Sequence, residues 1–153
     1  MARAVSRNNI LKASAELQKS LVAVGRKEHS APGKALFKEE DSTLGVFLVA
    51  QGKVRMGVKG LAKLDRTFSS GSLLGLPSTF TGHPYSLTAI ALTDLDVIHV
   101  PSDEFLRLMK EQPDLCREAM EMLGREVTFI QKALAERRRQ LADKKLSYCE
   151  VPL

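Results

Sequence analysis

The 153-residue sequence has only two cysteines, Cys116 and Cys149, far apart and without a partner motif. That sparseness excludes a disulfide scaffold, suits a reducing cytoplasm, and is too little for an iron-sulfur centre, which needs several clustered cysteines. The three histidines, His29, His83 and His99, lack metal-ligand spacing, so no metal site is expected. His99, between Ile98 and Val100, reads as a surface or locally bonded strand residue. No continuous apolar block opens the chain as a signal peptide would, and no run approaches a membrane span. A cytoplasmic protein without membrane contact is expected. Nucleophile, base and orienting group are nowhere set out together, and a phosphate-transfer loop of the Walker type is absent. No enzyme and no catalytic residue is expected.

The most consequential absence is local: no Lys, Arg, Asp or Glu occurs between Arg66 and Asp94. Yet Gly71 to Ala91 is laid out as a phosphate cradle. A strand end and a glycine turn at Gly75 lead into a one-turn helix opened by Pro77, then a turn at Gly82-His83-Pro84 and a strand from Ser86 to Leu92. Glycine lets the backbone approach a ligand closely, and the N-terminus of a short helix offers N–H groups to an anion. A phosphate held here would have no ion pair from the segment itself.

What is present elsewhere describes an ordinary domain. A content of 44% hydrophobic and 27% charged residues suffices for a core in one domain with an appendage. The net charge of +5 sits at the ends. Arg3, Arg7, Lys12, Lys19 and Arg26 face only Glu16. Lys132, Arg137, Arg138, Arg139, Lys144 and Lys145 face only Glu136 and Asp143. Basic ends can touch anionic surfaces, though solvated helix faces carry such charge equally well.

Residues 6 to 24 show a helical stripe through Ile10, Leu11, Ala13, Leu17, Leu21 and Val24, with Ser6 or Asn8 as possible caps and Gly25 as the end. From Arg26 to Val100, short apolar runs are punctuated by glycines mostly about eight to twelve residues apart, the pattern of an all-β roll. Strands are expected at Ala35 to Lys38, Val46 to Ala50, Lys53 to Val58, Lys63 to Phe68, Ser86 to Leu92 and Leu95 to Val100. Lys59-Gly60-Leu61 would turn a hairpin, with Val54, Met56 and Val58 on one face and Leu64 and Phe68 on one face of its partner. A short helix capped by Ser102 or Asp103 follows, broken at Gln112-Pro113. A long helix then runs from about Pro113 toward Lys145.

That helix has two apolar lines. Cys116, Met120, Leu123, Val127, Ile130, Leu134, Arg137 and Leu141 follow steps of four and three, a heptad seam interrupted only by Arg137. Leu115, Met122 and Phe129 form a second line. One face is read as packed on the roll and the seam as packed on a second copy in a parallel homodimer, the alternative being one broad face on the chain's own core. The dimer seam is assigned to Met120, Leu123, Val127, Ile130 and Leu134. Cys116 can respond to redox across a dimer axis, but also fits as a small hydrophobe. The expected divisions are 1–25 (N-terminal helical segment), 26–112 (β-roll with the short following helix), 113–146 (long helix) and 147–153 (tail).

Element order and local strings together resemble the cyclic-nucleotide-binding domain of the Crp/Fnr family of regulators, over about Gly25 to Gln140. Pro32 to Asp41 is similar to the family's "PxGxxLFxEGD", with Glu40 in place of the usual glycine. Gly45 to Val54 is similar to its "xxYxIxxGxV" hairpin entry, and Gly71 to Gly75 with Pro84 to Leu87 sits where the phosphate-binding cassette belongs. The resemblance implies an α+β, mainly β fold: a jelly-roll-like β-roll with an N-terminal helix and a long C-terminal dimerisation helix. It implies a cassette at Leu74, Gly75, Leu76, Pro77, Tyr85 and Ser86, with Thr128 near the base. The family's Glu, which holds the ribose hydroxyl, is matched here by Leu76. Its Arg, which pairs with the cyclic phosphate, is matched by Tyr85. Neither can make those charge-assisted bonds, so degenerate or absent binding of cAMP and cGMP is expected, with an effector pocket lined by Leu74, Leu76, Phe80 and Tyr85. Crp/Fnr regulators continue into a helix-turn-helix, whereas this sequence stops at Leu153, so sequence-specific DNA binding is not expected. The expected function is a sensory or regulatory domain without a fixed cofactor, open to an unidentified small-molecule effector. The alternative is a non-sensing interaction protein that pairs with itself or with a full-length regulator.

Overall fold

Ser14 starts the first helix: its hydroxyl accepts the Leu17 N–H at 3.1 Å, satisfying one of the free donors at the helix end. The computed structural model describes residues 10–149. Helix α1 (Ala15–Val24) buries Leu17 and Leu21, one turn apart, and ends at Gly25. A side chain at Gly25 would collide with Ile98 and Val100. Residues 10–14, expected to be helical, are not, so α1 begins at Ala15; residues 6–9, with the alternative caps Ser6 and Asn8, lie outside the described residues.

The chain then forms β1 (Arg26–Ser30), β2 (Ala35–Phe37), β3 (Val46–Gln51), β4 (Val54–Val58), β5 (Leu61–Phe68), β6 (Leu73–Leu74), α2 (Leu76–Thr81), β7 (Thr88–Ala91) and β8 (Leu95–Val100). Helices α3 (Ser102–Glu111) and α4 (Pro113–Cys149) follow. Among the described residues the strands make two four-stranded antiparallel sheets, in the orders β1-β8-β3-β6 and β2-β7-β4-β5. Their inner faces share one core, with Val46, Val54, Phe68, Leu73, Ala89 and Val97 excluded from solvent. The mainly β roll with a helix at each end is the expected fold class.

Six expected strands are present with ends shifted by up to two residues, β6 is the strand end expected before Gly75, and β1 was unexpected. β1, Arg26-Lys27-Glu28-His29-Ser30, has no apolar residue and is exposed along most of its length. It is held by backbone pairing with β8, from Arg26 opposite His99 to Ser30 opposite Leu95, which leaves no trace in an apolar pattern. β6 is only two residues long. The hairpin turns at Lys59-Gly60 with Val58 opposite Leu61, and Gly60 takes the expected positive φ of 84°.

Pro101, rather than Ser102 or Asp103, occupies the cap position of α3, and Gln112-Pro113 separates α3 from α4. α4 continues through Cys149, so Ser147 to Cys149 are helical rather than part of a tail; the next breaker in the sequence is Pro152. The two lines on α4 face different surroundings. Leu115, Ala119 and Met122 are buried against the roll, and Phe129 is half-buried beside them. On the seam, Met120 is 50% exposed and Val127 38%, while Leu123, Ile130 and Leu134 keep one edge on the core.

Candidate functional site

The cassette segment is built around Gly75 and Tyr85. Gly75 precedes α2 with φ of 93°, a left-handed conformation that glycine adopts without strain, and a Cβ there would lie 2.8 Å from the Gly45 carbonyl. Its own carbonyl accepts both the backbone N–H and the hydroxyl of Thr79, at 3.1 and 2.8 Å, fixing the first turn. Gly82, with φ of 76°, ends α2, and the Ser78 hydroxyl closes the next turn by donating to the His83 carbonyl at 2.6 Å.

Tyr85 is committed to the protein. Its ring stacks on Phe37 at 4.0 Å between centroids. Its hydroxyl donates to the Gly45 carbonyl at 2.8 Å and accepts the Leu44 N–H at 2.9 Å. Its backbone is paired as well, with the Tyr85 N–H donating to Asp41 and the Glu40 N–H donating to Tyr85. Burial is the main cause of a phenol pKa raised above its ordinary value of 10.0, because the phenolate would lose its water. His99 pins the same loop from another side. It stacks on Phe47 at 4.6 Å, and its Nε2 lies 2.7 Å from the Leu44 carbonyl, which can only accept, so that nitrogen carries the proton. His99 is therefore a locally bonded, buried residue.

Between α2, β4 and α4 lies a hollow of about 20 Å³, bordered by Gly75, Pro77, Tyr85 and Ser86 with Phe37, Met56 and Glu126. That is room for about one water molecule. Four of the seven expected ligand-binding residues border it. Leu74 and Leu76 do not: both are buried in the core, and Phe80 packs edge-on against Phe105 at 5.5 Å. Thr128 is solvent-exposed on α4 and is not among the lining residues; Glu126, two positions earlier, holds the inward place. A far larger groove, about 670 Å³, lies outside the roll along Glu39, Arg55 and the β4–β5 turn, away from Gly75 and Tyr85.

Glu126 was not expected, and neither was its partner. Arg66, on the inner face of β5 between Leu64 and Phe68, meets the Glu126 carboxylate through both terminal nitrogens, at 2.5 and 3.1 Å. Both side chains are almost wholly buried, at 1% and 2% exposure. The guanidinium carbon lies 4.1 Å from the centroid of Phe129 and 5.2 Å from that of Phe68. The signal was available: position 126 falls in the inward series 115, 119, 122, 126, 129, and position 66 falls between two inward strand residues. A charge at such a place requires a charge opposite.

A family model for the cyclic nucleotide-binding domain matches residues 27–112. The chain belongs to the cyclic nucleotide-binding domain family. Among curated relatives, this family member is 29% identical over 110 residues to the Pycsar effector protein XpPycTIR of Xanthomonas perforans, covering 72% of this chain and 36% of that protein. It is 28% identical over 96 residues to the cyclic AMP receptor protein of Thermus thermophilus, covering 61% of this chain and 44% of that one. The chain thus spans about two fifths of the length of these relatives. The second cyclic-nucleotide-binding domain of PKAR, solved with Sp-2Cl-cAMPS bound, shares the fold at a TM-score of 0.65 and 20% identity, over 86% of this chain and 85% of that one. Within this cyclic nucleotide-binding domain no described helix is long and apolar enough to cross a membrane.

Proposed function

We propose that this chain is a non-enzymatic regulatory domain of Crp/Fnr type whose cassette no longer holds cAMP or cGMP at signalling concentrations, and which pairs with a second copy through the α4 seam. The observation that carries the reading is how little room the hollow leaves. About 20 Å³ is open where small-molecule sites usually offer some 300 Å³ or more. The residue matching the phosphate-binding arginine is a tyrosine whose hydroxyl is already bonded to Gly45 and Leu44. Leu76, matching the ribose-binding glutamate, is 1% exposed. Two lost charge-assisted bonds, at about 1.5 to 3 kcal/mol each, weaken binding by roughly 10² to 10⁴-fold.

Calorimetry with cAMP and cGMP tests this on the unmodified chain. No saturable heat is expected for either nucleotide at micromolar concentrations, and Tyr85→Arg should gain measurable affinity. A dissociation constant in the low micromolar range for the unmodified chain would overturn the proposal.

A second reading, an interaction module without an effector, draws on the same lack of room. Tyr85 fills the site with a hydroxyl bonded to the protein itself, and Glu126 on its wall is engaged by Arg66. On that reading the seam alone is functional, and its partner is a second copy or a regulator carrying a like helix.

A further inference from the structure

The buried pair beside the hollow is an unusual way to hold a helix onto a sheet. Ion pairs taken out of water gain little over apolar packing of the same volume, so Arg66 and Glu126 are a poor device for stability alone. Their geometry is the two-pronged contact by which arginine recognises an external carboxylate or phosphate. Among the described residues the Nε of Arg66 is a buried donor without a partner, so the guanidinium has bonding capacity that Glu126 does not use. Glu126 forms part of the wall of the hollow, and Arg66 meets it there.

We propose that Arg66 is the anion-binding residue of this hollow, that Glu126 occupies it as an internal stand-in, and that a small organic anion enters by displacing Glu126 and so unfastens α4 from β5. The inference rests on reading the hollow as a closed effector site. Charge arithmetic selects the ligand class. An incoming carboxylate or phosphate takes over the guanidinium while Glu126 moves to water, so no buried charge is left alone. An uncharged ligand would leave Arg66 buried and unpaired, at the full cost of an isolated charge. The site can therefore be anion-selective although the cassette segment itself carries no cation. The body of the ligand would meet Met56 and the stacked pair of Phe37 and Tyr85.

The test compares the unmodified chain, Glu126→Ala, and the doubly apolar Arg66→Met/Glu126→Met, each in sodium acetate, inorganic phosphate and sodium chloride of equal ionic strength. Thermal midpoints and hydrogen exchange of the α4 amides around position 126 are read. In the unmodified chain acetate or phosphate should speed α4 exchange relative to chloride. In Glu126→Ala the sign reverses: the anion fills the vacated place, raises the midpoint and slows exchange by about 10-fold or more, the worth of one bond to a charged group. The double variant should respond to neither anion. Acetate acting without phosphate assigns a carboxylate ligand, and the reverse assigns a phosphate. If the unmodified chain does not distinguish these anions from chloride, or the double variant responds equally, the proposal fails. Should Glu126→Ala not fold in chloride, recovery of folding in acetate or phosphate supports the site, and no recovery counts against it. Failure here with no cAMP binding leaves the interaction module. A response here with micromolar cAMP binding overturns the closed cassette but not the role of Arg66.

Discussion

Replacing Arg66 or Glu126 singly by methionine leaves the other charge in the core, while replacing both leaves none. The two groups are 1% and 2% exposed and joined by two bonds, so solvent cannot rescue the survivor. Loss of one partner of such a pair costs about 3 to 5 kcal/mol, whereas apolar replacement of both is about neutral or stabilising by 1 to 4 kcal/mol. Against a typical total of about 5 to 15 kcal/mol, each single variant would lose a large share of the stability of the domain. Urea unfolding followed by circular dichroism reads this directly. With a slope of about 1 to 3 kcal/mol per molar, the midpoint should fall by at least about 1 M in each single variant. The double variant should return to the midpoint of the unmodified chain or exceed it, giving a coupling energy of several kcal/mol. Single variants that each lose under about 1 kcal/mol, or a double variant as unstable as the sum of the singles, would refute the claim that the two charges depend on each other.

Glu40 takes φ of 73°, where the family pattern has glycine, and its side chain is exposed. Relief of about 1 to 2 kcal/mol of left-handed strain, less about 0.5 to 1 for the freer unfolded chain, makes Glu40→Gly neutral to slightly stabilising by thermal melting; a clear loss of stability would contradict this. His29 lies 2.8 Å from Asp96 and 3.4 Å from Asp94 on the exposed β1–β8 pair, and the Asp96 hydrogen bond is the main cause of its raised pKa. A raised folded-state value means that its contribution is complete below about 6.5 and is lost as pH rises through the higher folded value. Proton NMR should place the His29 midpoint above 6.5 and Asp96→Asn should lower it; an unchanged midpoint in the variant would count against the pairing. For the seam, Met120→Asp with Val127→Asp alters the exposed residues and spares the half-buried Leu123 and Ile130. Sedimentation should show a dimer for the unmodified chain and a monomer for this variant; equal masses would remove the seam from the proposal.

Periodicity carried most of the roll because each inward strand position announces itself by alternation: Val54 and Met56, then Leu64 and Phe68, are buried as their spacing requires. Glycine marked turns where the backbone must go left-handed, as at Gly60, Gly75 and Gly82. β1 was illegible because backbone pairing with β8, not apolar burial, makes it a strand. The site was half legible. Local strings located Gly75, Pro77, Tyr85 and Ser86, but Arg66 and Glu126 are 60 residues apart and meet only when α4 lies on β5. Thr128 was set beside the base by resemblance alone, and the turn of α4 presents Glu126 instead.

Three carboxylates along α4 reach two parts of the fold, the start of α1 and strand β5. Glu118 accepts the Ser14 hydroxyl and N–H at 2.6 and 2.7 Å, Glu126 takes Arg66, and Glu136 meets Lys63 at 2.5 Å. A rigid slide of α4 by one turn, about 5.4 Å, would break all three together, whereas release of Glu126 alone leaves the contacts of Glu118 and Glu136 in place. The buried middle contact is thus flanked by one contact on each side, so α4 can loosen around position 126 while its two ends stay tethered to the start of α1 and to Lys63.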